Sequence, residues 1–211
     1  MEIVVIGSTG GTGLEVVKQG IQRGHMISTL ERHPEKLNGI SGIASVVKGD
    51  ALNSGDVRSA IAGQDAVISV LGDPEPARNI LAAMNEERIR RAIWVSAWPI
   101  AGKKPWILIK FSWLMFGKHY KMLAEMEQIV SKSDIDWTIV RPPRLTNAKK
   151  SGNVRILRDD NLPSGPYSIS RADLAAILLD EAESSMNVRT AKVVTSGAKN
   201  TKQIQSASIV K

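Results

Sequence analysis

Short apolar runs alternate along the chain with stretches of helical period. Ile3–Ile6 is continuously apolar and stops at Gly7, the pattern of a strand buried on both faces. Leu14, Val17 and Ile21 then fall on one helical face, and Gly24 supplies a C-terminal stop. Met26–Leu30 and Ala44–Val47 predict a second and a third strand, followed by a short helix over Ser54–Ile61. Ala66–Leu71 predicts a fourth strand closed by Gly72, Ala77–Ile89 a helix, and Ile93–Val95 a fifth strand. Lys118–Ser131 reads as a long helix and Trp137–Val140 as a strand broken by Pro142-Pro143. Ser170–Ala182 reads as a helix with Ser170 and Asp173 at capping-box spacing, and Arg189–Thr195 as a last, edge strand.

This alternation implies an α/β fold: a doubly wound, Rossmann-type parallel sheet with helices on both faces. No repeat or linker divides the chain, so a single domain over residues 1–195 is expected, with a polar tail over 196–211. The 211 residues suffice for one good core and are few for two.

Composition narrows the chemistry. There is no cysteine, which excludes disulfides, thiolate metal sites and a cysteine nucleophile, and fits a cytoplasmic address. Met1 runs straight into Ile3–Ile6 with Glu2 where a signal peptide would carry a basic flank, so no leader is expected. The net charge of +7 favours anionic ligands. The cations are scattered, with small clusters at Arg88, Arg90 and Arg91, at Lys103 and Lys104, and at Lys149 and Lys150. They are not interleaved with aromatics as a nucleic-acid platform would be, so no nucleic-acid partner is expected. The longest apolar run, Trp106–Phe116, is interrupted by Lys110 and Ser112 and is too short to span a bilayer. No metal site is expected, because His25, His33 and His119 share no ligand spacing.

Between the first strand and the first helix lies Gly7-Ser8-Thr9-Gly10-Gly11-Thr12-Gly13. Gly7 lets the chain leave the strand in a tight turn, Gly10 lets the backbone approach a pyrophosphate, and Gly13 lets helix and sheet pack closely. The helix start then offers free N–H groups and partial positive charge to phosphates, with Ser8, Thr9 and Thr12 as possible hydroxyl donors. In this strand–turn–helix context the motif points to a dinucleotide. At the end of the second strand stand both Glu31 and Arg32, then His33. A carboxylate there suits the ribose of NAD; an arginine suits the 2′-phosphate of NADP or stacks on adenine. The expected cofactor is NADP, with NAD as the alternative.

Several further segments accompany the glycine turn: Thr29–Pro34, Lys48-Gly49-Asp50, Gly63–Ile68 running into Leu71-Gly72, Asp136–Pro143 and Ile169–Ala175. Together they resemble the atypical short-chain dehydrogenase/reductases, in the NAD(P)H-binding, NmrA-like branch that includes flavin/biliverdin-IXβ reductases. The resemblance runs from Met1 to about Thr195. It implies that Gly7, Thr9, Gly10, Gly11, Thr12 and Gly13 form the phosphate turn. It likewise implies that Arg32 meets the 2′-phosphate, and that Asp50 and Ala51 lie beside the adenine. Leu71 and Gly72 would form the turn after the fourth strand, Ser96 would end the fifth, and Pro143, Arg144 and Leu145 would lie beside the nicotinamide. The chain departs from the pattern in a short loop after Gly72 and in a Trp- and aliphatic-rich stretch over Trp98–Gly117.

The Tyr-x-x-x-Lys dyad common among short-chain dehydrogenases is missing. Tyr120 is followed at that distance by Ala124, and Tyr167 by Arg171 after the double-proline break. Ser96 remains at a strand end where α/β proteins place ligand groups, and is the catalytic candidate; His119 is a candidate proton donor. Hydride transfer needs mainly alignment of donor and acceptor, so the expected activity is NADPH-dependent reduction of a flat, aromatic acceptor such as flavin or quinone. The alternative is a non-catalytic NAD(P)-binding redox sensor of NmrA-like type. The Trp98–Phe116 segment reads equally as a lid, an oligomer contact or a core-packed element, and the chain as a monomer or homodimer.

Overall fold

A computed structural model describes residues 1–157, 160–162, 165–184 and 186–197. The first five strands are β1 (Glu2–Ile6), β2 (Met26–Glu31), β3 (Ile43–Lys48), β4 (Ala66–Ser69) and β5 (Arg91–Val95). After them come β6 (Asp136–Arg141), β7 (Arg144–Thr146), β8 (Val154–Leu157), β9 (Ser168–Ser170) and β10 (Thr190–Ser196). The helices are α1 (Gly11–Gln22), α2 (Ser54–Ile61), α3 (Pro74–Glu86), α4 (Trp106–Ser131) and α5 (Arg171–Glu183). The main sheet has the order β3-β2-β1-β4-β5-β6-β10-β8. All of its pairs are parallel except β10 with β8. The doubly wound fold expected from the pattern is therefore present.

The strands are apolar without alternation because both faces are covered. Val4 and Ile6 pack on one side with Val67, Trp94 and Ile139, under residues of α2, α3 and α4 such as Val57, Ile80 and Met126. Ile3 and Val5 face the other side with Ile68, Ile93 and Val140, under Val16 and Val17 of α1 and Leu174 and Leu178 of α5. The two-residue period of a strand sends its neighbours to opposite cores, so the whole run must be apolar.

The ends of the chain of elements differ from expectation. The strand over 190–196 is interior, flanked by β6 and β8, and the edge falls to the antiparallel β8. The long helix begins at Trp106, not Lys118, and bends at Phe116, whose φ of −126° and ψ of 17° leave the helical range. A small two-stranded sheet, β7 with β9, sits beside the double-proline break. Of the tail, Ser196 closes β10 and Gly197 N–H donates to the Asn153 carbonyl; residues 198–211 lie outside the described residues. No described helix is long and apolar enough to cross a membrane.

Candidate functional site

In an open parallel sheet the strand order reverses at one point, and a crevice opens there above the carboxyl ends of the strands. Here the reversal lies between β1 and β4. The crevice holds the Gly7–Gly13 turn on one side and Leu71-Gly72 on the other. It forms two adjoining hollows, of about 620 Å³ and 370 Å³, that share Gly10 and Val70 on their walls.

The turn admits no side chain at two points, by backbone conformation at Gly7 and by backbone contact at Gly13. Gly7 has φ of +88°, and a Cβ on it would stand 2.7 Å from Val70 Cγ2. A Cβ on Gly13 would collide with the Gly7 carbonyl oxygen and lie 2.8 Å from Ser8 Cα. Gly10 differs: the nearest protein atom to its Cβ position is 3.5 Å away, so that position faces the crevice. Gly10 is the N-cap of α1 and offers no side-chain hydrogen bond, and the first turn carries no acidic residue. The leading N–H groups of a twelve-residue helix are thus left for an anion.

Glu31 and Arg32 have separate tasks. The Glu31 carboxylate is buried, and Ser8 Oγ donates to it at 2.5 Å, Thr9 N–H at 3.0 Å and Thr9 Oγ1 at 3.0 Å. It ties the glycine turn to the end of β2. The Ser8 and Thr9 hydroxyls, considered as phosphate donors, are turned to this carboxylate instead. The Arg32 side chain is 71% exposed at the rim, touched only loosely by Asp50 at 3.9 Å. Asp50 is itself fixed as a turn, with its Oδ1 accepting from Leu52 N–H, and Asn79 holds the Ala51 carbonyl.

The larger hollow is lined by Gly7, Thr9, Gly10, Arg32, Asp50, Ala51 and Leu71 among the expected residues. The smaller is lined by Gly10, Gly11, Thr12, Gly13, Gly72, Ser96, Pro143 and Leu145. Arg144 is not with them: it is exposed on β7, between Pro143 and Leu145, and does not line either hollow. Strand alternation explains this, since Leu145 and Arg144 must point to opposite sides. Ser96 Oγ is buried at the crevice floor with no hydrogen-bond partner among the described residues. A buried hydroxyl without a partner is costly, and a polar ligand group in the crevice would satisfy it.

Four further wall residues stand on α4 and α5; of these, His119 was expected at the site as a candidate proton donor and the other three were not. His119, Tyr120 and Leu123 lie on α4, just beyond its bend, and close the smaller hollow. A Cβ on Gly72 would collide with Leu123 Cδ2, so α4 seats directly on this glycine. The fourth is Arg171, the first residue of α5. Its side chain lies against Gly11, with Cδ 2.8 Å and Nε 2.9 Å from that glycine's Cβ position, and its Nη1 donates to Asn147 Oδ1 at 2.6 Å. A cation at a helix start opposes the helix dipole, yet among the described residues Arg171 forms no ion pair with a carboxylate. Its charge therefore adds to that of the α1 N-terminus toward an anion in the crevice. In the sequence it lies inside Ile169–Ala175, beside the capping pair Ser170 and Asp173.

Asp173 anchors this corner. Ser170 Oγ and Ser151 Oγ donate to it, and the Ser151 and Gly152 N–H groups donate at 2.8 Å each. Burial alone would raise its pKa, but these hydrogen bonds outweigh burial and hold the carboxyl below its ordinary range. Behind the Pro142-Pro143 break, Arg141 makes a two-pronged pair with Glu127, Nε to Oε1 at 3.0 Å and Nη2 to Oε2 at 2.6 Å. That pair locks α4 to the end of β6 and so fixes the wall that carries His119 and Tyr120.

Comparison with known proteins agrees with this geometry. The NAD(P)H-binding family matches residues 7–185. An uncharacterized chloroplastic protein of Arabidopsis thaliana is 28% identical over 211 residues, covering 89% of this chain and 75% of its own. A short-chain dehydrogenase/reductase of Veillonella parvula, solved in complex with NADP, superposes with a TM-score of 0.81 at 17% identity, covering 93% of this chain and 95% of that one. ChuY, an anaerobillin reductase of Escherichia coli O157:H7, superposes with a TM-score of 0.82 at 18% identity, covering 95% and 99%. The expected NAD(P)H-binding family is borne out by the family match, and the expected resemblance to short-chain dehydrogenase/reductases at the level of fold.

Proposed function

The chain belongs to the NAD(P)H-binding family, and on that premise we propose that it is an NADPH-dependent reductase of a flat acceptor such as a flavin or quinone. The observation that carries the reading is the crevice itself: a Cβ-free approach at Gly10, unpaired helix N–H groups, and the orphaned Ser96 hydroxyl in one continuous trough. In this reading the Gly10–Gly13 backbone and Arg171 hold the pyrophosphate. Asp50, Ala51 and Leu71 flank the adenine. Arg32 pairs with the 2′-phosphate, because Glu31 is already engaged by Ser8 and Thr9 and is withdrawn from the ribose.

A bound reduced nicotinamide supplies the hydride. The protein's part is to hold that ring on the floor made by Gly72, Pro143 and Leu145, with Ser96 Oγ donating to a carboxamide or acceptor oxygen. Tyr120, Leu123 and the proline pair form an apolar wall against which a flat ring lies, limiting water. His119, exposed at the mouth, is placed to deliver the proton that accompanies reduction. With Arg144 facing outward, specificity on that side falls to Pro143 and Leu145. A cytoplasmic location remains the proposed one.

Parallel titrations of NADPH and NADH, read by tryptophan fluorescence, test the cofactor half. NADPH should bind more tightly, and Arg32→Ala should weaken NADPH about ten- to a hundredfold while leaving NADH nearly unchanged. Steady-state oxidation of NADPH with FMN or menadione tests the acceptor half. Binding with no turnover on any acceptor would refute the enzyme reading, and unequal affinity for the oxidised and reduced forms would then favour the redox sensor.

A further inference from the structure

The first half of α4 is an apolar helix that lies on the outside of the protein. Leu114 is 82% exposed, Trp106 64%, Phe111 63% and Ile107 62%, with Met115 and Phe116 close behind. Ile107, Phe111 and Leu114 follow the i, i+4, i+7 spacing of one helical face. Its opposite side is anchored: Trp113 Nε1 donates to the Pro99 carbonyl at 2.8 Å, and Ile109 packs with Trp98 and Leu162. The outward face is thus held outward by the fold. An exposed apolar patch of this extent on a soluble domain marks an interaction surface.

Charge identifies what it meets. From Arg88 to Ala124 the chain has no Asp or Glu, and Lys103, Lys104, Lys110, Lys118 and Lys121 stand in or beside the apolar stretch. Lys110 and Lys118 are exposed on the helix itself. A second copy of this chain would bring the same lysines face to face with no carboxylate from the segment to pair them. Tryptophan and phenylalanine on one face, lysines at its border and a folded anchor beneath it are the features of a helix lying in a membrane interface. We infer that Trp106–Lys118 docks the protein on an anionic lipid surface, with Ile107, Phe111 and Leu114 in the acyl boundary and the lysines at the headgroups.

The same helix continues through the bend at Phe116 into His119, Tyr120 and Leu123, which wall the smaller hollow. Docking therefore sets that wall beside the bilayer surface.

The test is co-sedimentation of the full chain with phosphatidylcholine vesicles, with and without phosphatidylglycerol, at low and at physiological salt. Binding to the anionic vesicles only, weakened by salt, with a blue shift of tryptophan emission that Trp106→Phe diminishes, is the expected result. Leu114→Glu, at a position that contributes nothing to the core, should reduce partitioning at least tenfold. Replacing Lys110 and Lys118 by Gln should reduce it roughly thirtyfold. Folding of each variant is checked by its unchanged far-ultraviolet circular dichroism. Failure of the folded protein to bind anionic vesicles overturns the inference, as does equal binding to neutral ones. A concentration-dependent dimer that Leu114→Glu dissociates also overturns it, assigning the face to a second copy.

Discussion

Gly10 and Gly13 stand three residues apart in one turn, and substitution at the two should fail in different ways. At Gly13 a methyl group would meet backbone: the Gly7 carbonyl oxygen well inside contact distance, Ser8 Cα at 2.8 Å and the Gly7 carbonyl carbon at 2.9 Å. None of these can rotate away, so α1 must lift from the sheet, where it packs through Val16 and Val17. Overpacking of this kind costs about 1–3 kcal/mol, which for a chain of this size lowers the melting temperature by roughly 2–12 °C. At Gly10 the backbone is extended, with φ of −73° and ψ of 158°, and the Cβ position meets no protein atom closer than 3.5 Å. Gly10→Val should therefore change stability by no more than about 1 kcal/mol, the scale of an N-cap substitution. Its isopropyl group would instead fill the approach to the helix N–H groups and weaken NADPH binding at least about a hundredfold, or about 2.8 kcal/mol. Thermal unfolding by circular dichroism and NADPH titration on the same two variants separate the effects. A folded Gly10→Val protein with undiminished NADPH affinity would refute the placement of the phosphate site. A Gly13→Ala protein as stable as the parent would refute the close helix–sheet contact.

Three further outcomes are expected. Because the folded pKa of Asp173 is depressed, its contribution to stability is present above the ordinary carboxylate range and is lost as pH falls through the folded value. The melting temperature should fall on acidification below about pH 4, and Asp173→Asn should flatten that fall. Glu183 adds to the same trend, its pKa held down by Arg23 and His25 against the opposing effect of burial. Arg141→Met would leave the Glu127 carboxylate buried without its partner, and urea unfolding should register a loss of about 3–5 kcal/mol. Gly72→Ala should force the Leu123 side chain to turn, reshaping the smaller hollow, and turnover of the acceptor should fall more than NADPH affinity does.

Local chemistry made much of this protein legible in its sequence. Ile3–Ile6 must be a covered strand because no alternation is present, Gly7–Gly13 must be a turn where backbone crowds backbone, and Ser170 with Asp173 must cap a helix. Each conclusion depends on residues a few positions apart. What the sequence left open depended on distant partners. Residues 190–196 alone cannot say that β8 will cover their free edge. Glu31 and Arg32 carry equal claims to a ribose until Ser8 and Thr9, more than twenty residues away, are seen to engage Glu31. The helix from Trp106 is apolar almost all round, so other faces were as apolar as Ile107, Phe111 and Leu114 and its start was unmarked; its contacts with Pro99, Trp98 and Leu162 set that orientation. His119 and Arg171 reach the crevice through the packing of α4 on Gly72 and of α5 beside α1. Short-range sterics and hydrogen bonding fixed the elements and the phosphate turn, whereas which side chains meet across the crevice was decided by tertiary packing, which brings together residues that the chain itself keeps far apart.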